Sequence, residues 1–577
     1  MRDSLARLRA RPCLRSLAWA FVCALIVAVA ASGCGPKKPA PGPPAPPAPR
    51  RAAPPPPPDP KVREFVDVTD AAGLDFVHSI GDGELSNLVE AVGGGAGWLD
   101  YDGDGCMDLY VLTGNYTKGL SAGDPPGPPQ SNRLFRNRGD GTFEDVTDRA
   151  RVGHQGYGMG LAVADYDNDG DADIYVLNHG PNLLYRNNGD GTFTDATKRA
   201  GLGGGERCTV AAGFLDYDND GFLDLYVGNY IEFDPEYDHY YAPDGMPGPL
   251  DYAAQPDLLY HNRGDGTFED VTQSMGVGDS RSRAMGVTTV DFDQDGWVDI
   301  YVANDASANF LYRNLEGKGF QEVAPASGTA YSEQGESTAS MTGDFGDCDG
   351  DGLLDIVISD DAFGSLYMNV DNSRFEDRTA AAGVAKAKGQ YISWGIALMD
   401  YDHDGDLDIF MVNGDFHHLY PMEDLLLEND GSGRFSDVSP QRGAWFQEKW
   451  VGRGGAFGDY DNDGDLDVFI MNLDGQCALL RNDVCQGTNW LGVHLVGSRS
   501  NRDAVGARVK VVAGDLVQVG QRKGAYGYLC THDPRLNFGL GAHEKVDRLE
   551  VTWPSGQTQA LENVEAKQIV TITEEES

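Results

Sequence analysis

The sequence predicts an all-β fold, a seven-bladed β-propeller followed by a small β-rich C-terminal domain. A nine-residue acidic string recurs seven times, each copy lies between apolar runs typical of β-strands, and a Gly-bearing turn leads into a further strand after six of the copies. Each repeat therefore contains four strands. Seven such units over residues 61–485 suit a ring of blades packed face to face.

Residues 1–33 have the pattern of an export signal. Five Arg residues precede or flank an apolar run over residues 17–31, which ends at Ala-Ser-Gly-Cys34. The run is shorter than the roughly 20 residues that a membrane span needs. Its end resembles a bacterial lipobox, although Ala31 stands where that motif usually has Leu. We expect cleavage before Cys34 and lipidation of Cys34; the alternative is a plain secretory signal with an unrelated cysteine.

Residues 34–60 then form a lipidated cysteine and a Pro-rich linker. Proline fixes φ and removes backbone donors, so this segment cannot form a core and is predicted to be a stiff spacer. Together the two segments predict an exported chain, anchored by lipid to a bacterial membrane at the outer membrane or cell surface.

The charge balance is strongly acidic, with 90 Asp and Glu against 45 Lys and Arg and a net charge of −45. This charge disfavours nucleic acid and anionic lipid headgroups as partners and favours cations.

The acidic string has the form DxDxDGxxD. All seven copies keep Gly at position 6, and position 7 varies freely. Position 1 is Asp100, Asp165, Asp216, Asp291, Asp347, Asp400 and Asp459. Position 3 is Asp102, Asp167, Asp218, Asp293, Asp349, Asp402 and Asp461. Position 5 is Asp104, Asp169, Asp220, Asp295, Asp351, Asp404 and Asp463. Position 7 is Cys106, Asp171, Phe222, Trp297, Leu353, Asp406 and Asp465. Position 9 is Asp108, Asp173, Asp224, Asp299, Asp355, Asp408 and Asp467.

This pattern of fixed and free positions predicts about seven structural Ca²⁺ ions. Calcium takes six to eight oxygen ligands at about 2.3–2.6 Å, so carboxylates at positions 1, 3, 5 and 9 can converge around a sharp turn at the glycine. Position 7 is expected to contribute its backbone carbonyl, which any side chain tolerates.

Three other interpretations of the string are weaker. Solvated acidic turns would leave four carboxylates repelling one another in nine residues. An EF-hand would need Glu at position 12, where all seven copies have an apolar residue. Transition metals prefer His or Cys, which the four fixed positions lack.

The seventh repeat lacks the final strand that follows the Gly-bearing turn in the other six. A matching segment, Phe65-Val-Asp-Val-Thr69, stands alone before the first repeat. We predict that it supplies the missing strand and closes the ring, which leaves no open edge.

The repeats resemble the FG-GAP or VCBS-type repeats of integrin α-subunit propellers and, more closely, bacterial relatives of the cartilage acidic protein family. Residues 489–514, 527–541 and 546–564 look like an ASPIC/UnbV domain, which places that domain at residues 488–575. The resemblance implies a Ca²⁺-loaded extracellular propeller with a role in adhesion or scaffolding. The fifth loop departs from the pattern, with Asp344-Phe-Gly before Asp347 and Cys348 in the aromatic position.

The sequence favours a non-catalytic binding scaffold over an enzyme. It has no GxSxG and no HExxH motif. The alternative is a propeller enzyme that acts on a small molecule or glycan and uses Ca²⁺ structurally, because fold does not settle function. We expect a monomer that binds a protein or glycan.

The longest connection between a second and a third strand is a candidate ligand loop. Its aromatic residues could stack on sugars or anchor a protein, or the loop could pack on the end of the propeller. These residues are Tyr230, Phe233, Tyr237, His239, Tyr240 and Tyr241.

Six cysteines remain after the signal and Cys34. Cys477 and Cys485 are close enough in sequence to form a disulfide in an exported chain, but the spacing leaves this open. No CxxC is present, so a zinc or redox motif has no support from sequence.

Overall fold

The computed structural model describes residues 54–55 and 63–576, apart from residues 126, 238–245, 280, 362–363, 417–418 and 486. The predicted export signal, Cys34 and most of the linker lie outside the described residues, as do His239, Tyr240 and Tyr241. No helix within the described part of the chain is long and apolar enough to cross a membrane.

The described residues of the propeller form seven antiparallel four-stranded sheets, and in six of them the strands follow one another in chain order from the inside of the ring outwards. Blade 1 is Ala96–Leu99, Asp108–Val111, Arg133–Asn137 and Phe143–Asp145. Blade 2 is Tyr157–Ala164, Asp173–His179, Leu183–Asn187 and Phe193–Asp195. Blade 3 is Thr209–Leu215, Asp224–Asn229, Leu258–Asn262 and Phe268–Asp270. Blade 4 is Ala284–Val290, Asp299–Asn304, Phe310–Asn314 and Phe320–Glu322. Blade 5 is Ser340–Gly346, Asp355–Asp360, Ser365–Asn369 and Phe375–Asp377. Blade 6 is Ser393–Met399, Asp408–Asn413, Leu425–Asn429 and Phe435–Asp437. Blade 7 is Gly452–Gly458, Asp467–Asn472, Ala478–Asn482 and, from the start of the chain, Phe65–Asp67.

The innermost strands contact their neighbours in succession, and the innermost strand of blade 1 contacts that of blade 7, so the sheets form a closed ring. The all-β propeller prediction is confirmed. So is the predicted closure, because Phe65 pairs with Asn482 and Asp67 pairs with Leu480. The Thr69 hydroxyl also accepts a hydrogen bond from Leu479 N at 2.8 Å, as Thr147 does from Leu134 N in blade 1.

Short helices follow most outer strands and carry the chain to the next blade. Their bounds are Thr69–Ala72, Thr147–Ala150, Thr197–Ala200, Thr272–Met275, Ala324–Ser327 and Val384–Lys388, with 3₁₀ turns at Ser439–Gln441 and Trp445–Gln447. A helix at Leu88–Val92, a 3₁₀ turn at Pro249–Asp251 and a two-stranded sheet of Ile231–Glu232 and Ala253–Ala254 lie outside the blades.

The C-terminal domain contains two sheets around its own apolar core. One consists of Leu536–Gly541, Asn489–Val496 and Gln568–Thr573, and the other of Leu516–Gln521, Arg508–Ala513, Lys545–Thr552 and Thr558–Glu565. Leu491, Val509, Leu549 and Trp553 are among the buried side chains between them. The predicted β-rich C-terminal domain is therefore present.

Residues 523–533 of this domain, here called the axial segment, run along the axis of the propeller. The segment hydrogen-bonds to innermost strands of the ring: Trp98 N donates to Thr531 O at 3.1 Å and Thr289 N to Ala525 O at 3.1 Å. Its tip reaches far into the ring, where the Tyr528 hydroxyl donates to Val92 O at 3.0 Å.

The inner strands must be glycine-rich to admit the axial segment. A Cβ atom on Gly95 would lie only 1.9 Å from Leu529 O, a separation that no side chain tolerates. The glycines before each acidic string, which the sequence predicts for crowded inner strands, therefore also make room for the axial segment.

Candidate calcium sites

The seven acidic strings connect the first and second strand of each blade and share one turn. In blade 3, Asp216 accepts hydrogen bonds from Asp220 N and Gly221 N at 3.0 Å each, and Asp220 accepts one from Phe222 N at 2.9 Å. The equivalent bonds recur in all seven loops. Gly221 has a φ of +91°, in the left-handed region that glycine tolerates, which explains the fixed glycine.

The carboxylate at position 9 closes each loop from the side of the sheet. Asp224 accepts from Tyr217 N at 3.1 Å and from Asn262 N at 2.8 Å. Both bonds recur in every blade, and the partner of the second is always the Asn that ends the third strand. The loop is therefore tied to two strands by hydrogen bonds within the protein.

The carboxylates converge as the string predicts. In blade 1, oxygens of Asp100, Asp102 and Asp108 all lie within 4.8 Å of one another, and blade 2 has the same arrangement. Oxygens that share one Ca²⁺ at about 2.3–2.6 Å are separated by such distances.

One carboxylate oxygen at position 3 faces into each of five loops without a protein partner. It is the buried Oδ1 of Asp167, Asp218, Asp293, Asp402 and Asp461. A buried acceptor without a donor is costly, and each of these oxygens lies among other carboxylates. The residues present therefore fit a hard divalent cation, held by the carboxylates at positions 1, 3, 5 and 9 and the carbonyl at position 7.

Burial and mutual repulsion disfavour ionisation of these carboxyl groups. Burial raises the pKa of Asp108 and of Asp355 to about 8, and it raises the pKa of Asp467 well above its usual range, with nearby carboxylates adding to the effect. A bound divalent cation would supply the missing positive charge.

Three loops already have a basic partner at their outer side. The Arg136 guanidinium contacts Asp102 and Asp104 at 2.5 and 2.8 Å, and Arg186 and Arg313 occupy the same place in blades 2 and 4. In blade 3 the equivalent residue is His261, whose Nδ1 lies 3.1 Å from Asp224. The hydrogen bond to Asp224 raises the pKa of His261 to about 9.

The loops are also bonded to one another around the ring. At position 4, Asn219 Nδ2 donates to Gly296 O of the next loop at 3.2 Å. Corresponding bonds join four further pairs of loops, through Asn168, Gln294, His403 and Asn462. In addition, Asn262 Nδ2 donates to Tyr166 O of the preceding loop at 2.8 Å. Sequence reasoning did not assign these roles, although the Asn that ends each third strand was a visible signal.

The fifth loop keeps the register of the other six despite the preceding Asp344-Phe-Gly. Asp347 accepts from Asp351 N and Gly352 N at 3.1 and 2.9 Å, and Asp355 accepts from Cys348 N at 2.9 Å. Asp344 does not enter the loop; it forms an ion pair with Lys523 of the axial segment.

The aromatic residues in the described part of the candidate ligand loop are buried or half-buried. Tyr230 is fully buried, and its hydroxyl donates to Asp305 at 2.5 Å, so it belongs to the core. Phe233 and Tyr237 are half-buried and pack on Tyr252, with ring centroids 5.7 and 5.5 Å away. The described part of the loop therefore packs on the end of the propeller, the second of the two predicted alternatives.

The Cys477–Cys485 disulfide, which the sequence leaves open, is not formed, because both thiols are free. Cys477 Sγ lies 3.4 Å from Met471 Sδ in the core of blade 7, whereas Cys485 Sγ lies 2.8 Å from Tyr401 O in blade 6. The two side chains thus have different surroundings, which the short spacing in sequence does not reveal.

The C-terminal domain rests on the face that carries the acidic loops. Asp165 N donates to Asp503 at 3.1 Å, Arg502 N donates to Asn168 at 3.0 Å, and Asn537 Nδ2 donates to Gly464 O at 2.6 Å. The geometry of the loops therefore also positions this domain.

Comparison with known families agrees with this architecture. Residues 100–176, 165–227, 251–302, 291–358 and 347–411 match the FG-GAP-like repeat and together cover half of the chain. Residues 497–577 match the ASPIC and UnbV family.

The chain is similar to cartilage acidic protein 1. It is 25% identical to the Homo sapiens protein over 470 residues, which are 79% of this chain and 59% of that protein. It is 26% identical to the Xenopus tropicalis protein over 482 residues, which are 80% of this chain and 61% of that protein. The chain thus spans about three fifths of the length of these relatives.

Similar solved structures include an Agrocybe aegerita lectin that recognises non-reducing terminal N-acetylglucosamine, with a TM-score of 0.38, 18% identity, and coverage of 66% of this chain and 86% of the lectin. Another is the exo-type rhamnogalacturonan lyase YesX, with a TM-score of 0.32, 13% identity, and coverage of 86% of this chain and 91% of the lyase. From its repeat and C-terminal matches, the chain belongs to the FG-GAP repeat proteins that carry an ASPIC/UnbV domain and are related to cartilage acidic protein.

Proposed function

We propose that the chain is a calcium-stabilised, non-catalytic binding or adhesion scaffold, displayed outside the cytoplasm on a lipid attached to Cys34. The observation that carries the calcium part is the set of five buried position-3 oxygens that face other carboxylates without a donor. One cation in each loop would satisfy that loop's unpartnered oxygen and offset its negative charge. A water molecule would still leave the carboxylates in each loop repelling one another.

Calcium has a structural role in this proposal. The acidic loops connect the two innermost strands of each blade, and hydrogen bonds join neighbouring loops around the ring. At free Ca²⁺ tenfold above the dissociation constant, each site contributes about 1.4 kcal/mol to folding by mass action. Seven sites would contribute about 10 kcal/mol, which is comparable with the whole stability of an ordinary domain.

The surface for a partner lies on the face opposite the acidic loops. The loop face is covered by the C-terminal domain and the axis is filled by residues 523–533, whereas the connections between second and third strands end on the opposite face. The two most exposed large apolar side chains in the described part of those connections are Leu250 at 63% and Tyr420 at 62%. Such residues anchor protein or glycan ligands.

The calcium proposal is tested by metal analysis and calorimetry on the full chain. We expect about seven Ca²⁺ per chain and a strong fall in melting temperature on chelation. Asp218→Asn should lose about one ion, whereas Glu269→Gln, an exposed carboxylate in the same blade that contacts Arg263, should lose none. Fewer than about four bound ions, or a melting temperature that does not change when chelator is added, would contradict the proposal.

The binding proposal is tested by a glycan and protein screen with and without Ca²⁺. For any hit, Leu250→Ser with Tyr420→Ser should weaken binding at least tenfold and leave the melting temperature unchanged. The control is Val517→Ser, which changes an exposed apolar residue of the C-terminal domain. Turnover of a small molecule by the same preparation would favour the enzyme alternative instead.

A further inference from the structure

Three metal-ligating side chains of different chemistry meet between the acidic loops of blades 6 and 7. His403, Asp465 and Cys485 each offer a ligand atom, these atoms all lie within 4.8 Å of one another, and all three residues are buried. His403 Nδ1 is 3.7 Å from Asp465 Oδ1. The cluster joins position 4 of the sixth loop, position 7 of the seventh loop and the segment that leaves the propeller.

The hydrogen bonds of the His403 imidazole leave Nδ1 as the ring nitrogen with a free electron pair. Nε2 lies 3.0 Å from Gly464 O, which can only accept, so the ring hydrogen is on Nε2. Other loops make this same bond with the amide of Asn219 or Asn462. A histidine is therefore not needed for the bond, and it adds a second nitrogen that the amides do not have.

The neighbours of Nδ1 do not satisfy it. Thr488 Oγ1 lies 3.1 Å away but donates its hydrogen to Cys485 O at 2.6 Å, so it turns a lone pair toward the ring. The carboxylate of Asp465 is also an acceptor. Nδ1, Thr488 Oγ1 and a carboxylate oxygen of Asp465 thus lie near the Cys485 thiol, whose hydrogen is donated to Tyr401 O at 2.8 Å.

We propose that His403 Nδ1, the Asp465 carboxylate and Cys485 Sγ bind one Zn²⁺ ion, at a site distinct from the calcium sites of the two loops. Zinc takes imidazole, thiolate and carboxylate ligands in a tetrahedral site, and Thr488 Oγ1 or a water is available for the fourth position. A backbone carbonyl that receives the other ring N–H is the usual outer partner of a metal-bound histidine. The string assigns Asp465 to calcium only through its carbonyl, so its carboxylate is available.

Binding converts the thiol to a thiolate. Cys485 Sγ–H loses its proton to the buffer as the Zn–S bond forms, so one proton is released for each ion bound by the chain. No oxidant or reductant takes part. The ion would connect blade 6, blade 7 and the start of the C-terminal domain, at the place where the ring closes.

The test uses the full chain, stripped of metal and then saturated with Ca²⁺, with Co²⁺ as an optical probe. We expect one Co²⁺ per chain with a thiolate charge-transfer band in the near ultraviolet, displaced by one equivalent of Zn²⁺ with release of one proton. Cys485→Ser should abolish the band, and His403→Asn, which keeps an amide for Gly464 O, should weaken Zn²⁺ binding at least tenfold. Cys477→Ser and Cys106→Ser are matched controls and should keep both.

The titration of the unmodified chain does not depend on whether a variant folds. The proposal is overturned if Co²⁺ at saturation gives no thiolate band in the unmodified chain, or if the band survives Cys485→Ser. Peptide mapping without reductant that finds a Cys477–Cys485 disulfide would also overturn it, because the sulfur would then be unable to bind metal.

Discussion

Asp344, in the innermost strand of blade 5, forms an ion pair with Lys523 of the axial segment. Both side chains are largely withdrawn from solvent, with exposures of 1% for Asp344 and 11% for Lys523. Asp344 also accepts from Leu398 N at 2.9 Å, and Lys523 donates to Phe345 O at 3.0 Å. The pair therefore joins blades 5 and 6 to the C-terminal domain.

Asp344→Asn should lower the free energy of unfolding by about 3 kcal/mol, because it leaves the Lys523 ammonium without its carboxylate. The double variant with Lys523→Met should be less destabilised than the sum of the two single variants. Denaturant titration in Ca²⁺ measures all three. Single variants within about 0.5 kcal/mol of the parent would show that the pair is unimportant.

Truncation should show that the ring depends on its first strand. A chain that begins at residue 71 lacks Phe65–Asp67 and the Thr69 cap, so blade 7 keeps three strands and an open edge. We expect a melting temperature about 5 °C lower or more, with aggregation. A chain that begins at residue 61 is the control, and equal melting of the two chains would refute the closure role.

The buried His532 should make stability depend on pH. Burial, with Lys523 nearby, lowers the pKa of His532 to about 3 from an ordinary 6.5, so the unfolded chain binds the proton more readily between these values. Stability is therefore lost as the pH falls below 6.5, by about 2 kcal/mol between pH 7 and pH 5.

His532→Asn, whose Oδ1 can still accept from Phe457 N, removes this contribution. Unfolding in saturating Ca²⁺ at pH 7 and pH 5 is the measurement, since carboxylate protonation affects both chains alike. Equal losses in the two chains would mean that His532 titrates normally in the folded state.

The arginine beside a loop should matter most when calcium is absent. Arg313 lies against Asp293 and Asp295, whose charges a bound ion would otherwise offset. Arg313→Met should lower the melting temperature more in chelator than in Ca²⁺. Arg374→Met, which removes an exposed arginine that contacts Asp371, is the matched control. The same fall in both conditions would show that Arg313 does not act through the loop.

Replacement of Cys34 tests the anchor. In a bacterial host, Cys34→Ser should stop incorporation of labelled fatty acid and move the chain from the detergent phase to the aqueous phase, or leave the signal uncleaved. Cys106→Ser should change neither. Continued labelling of the Cys34→Ser chain would rule out the lipobox.

The repeat was predictable because its determinants are local. Position 6 needs glycine for a left-handed turn, as Gly221 shows, and the four carboxylates lie within nine residues. The missing final strand of the seventh repeat likewise identified Phe65–Asp67 as the closing strand. Regular spacing of such signals determines the fold without knowledge of tertiary contacts.

The axial segment and the His403 cluster could not be predicted, because their partners are far apart in sequence. Thr531 pairs with residues near 97, and His403 meets Cys485 only after two blades have closed. Nothing in the alternation of residues 523–533 indicates burial on an axis. The aromatic residues Tyr230 and Phe233 gave a misleading signal, since a connection rich in aromatics reads the same whether it packs on its own domain or faces a ligand.

The closing strand can pair only late in the synthesis of the chain. Thr69 and its partner Leu479 are separated by 410 residues. At about 5–20 residues per second, roughly 20 to 80 seconds pass between production of the two. Throughout that interval Phe65–Asp67 has no strand edge to pair with. The axial segment is synthesised later still, so it must either enter a ring that is otherwise complete or have the ring assemble around it. The chain thus reaches its final topology only after nearly all of it has been synthesised, and until then its exposed strand edges favour aggregation.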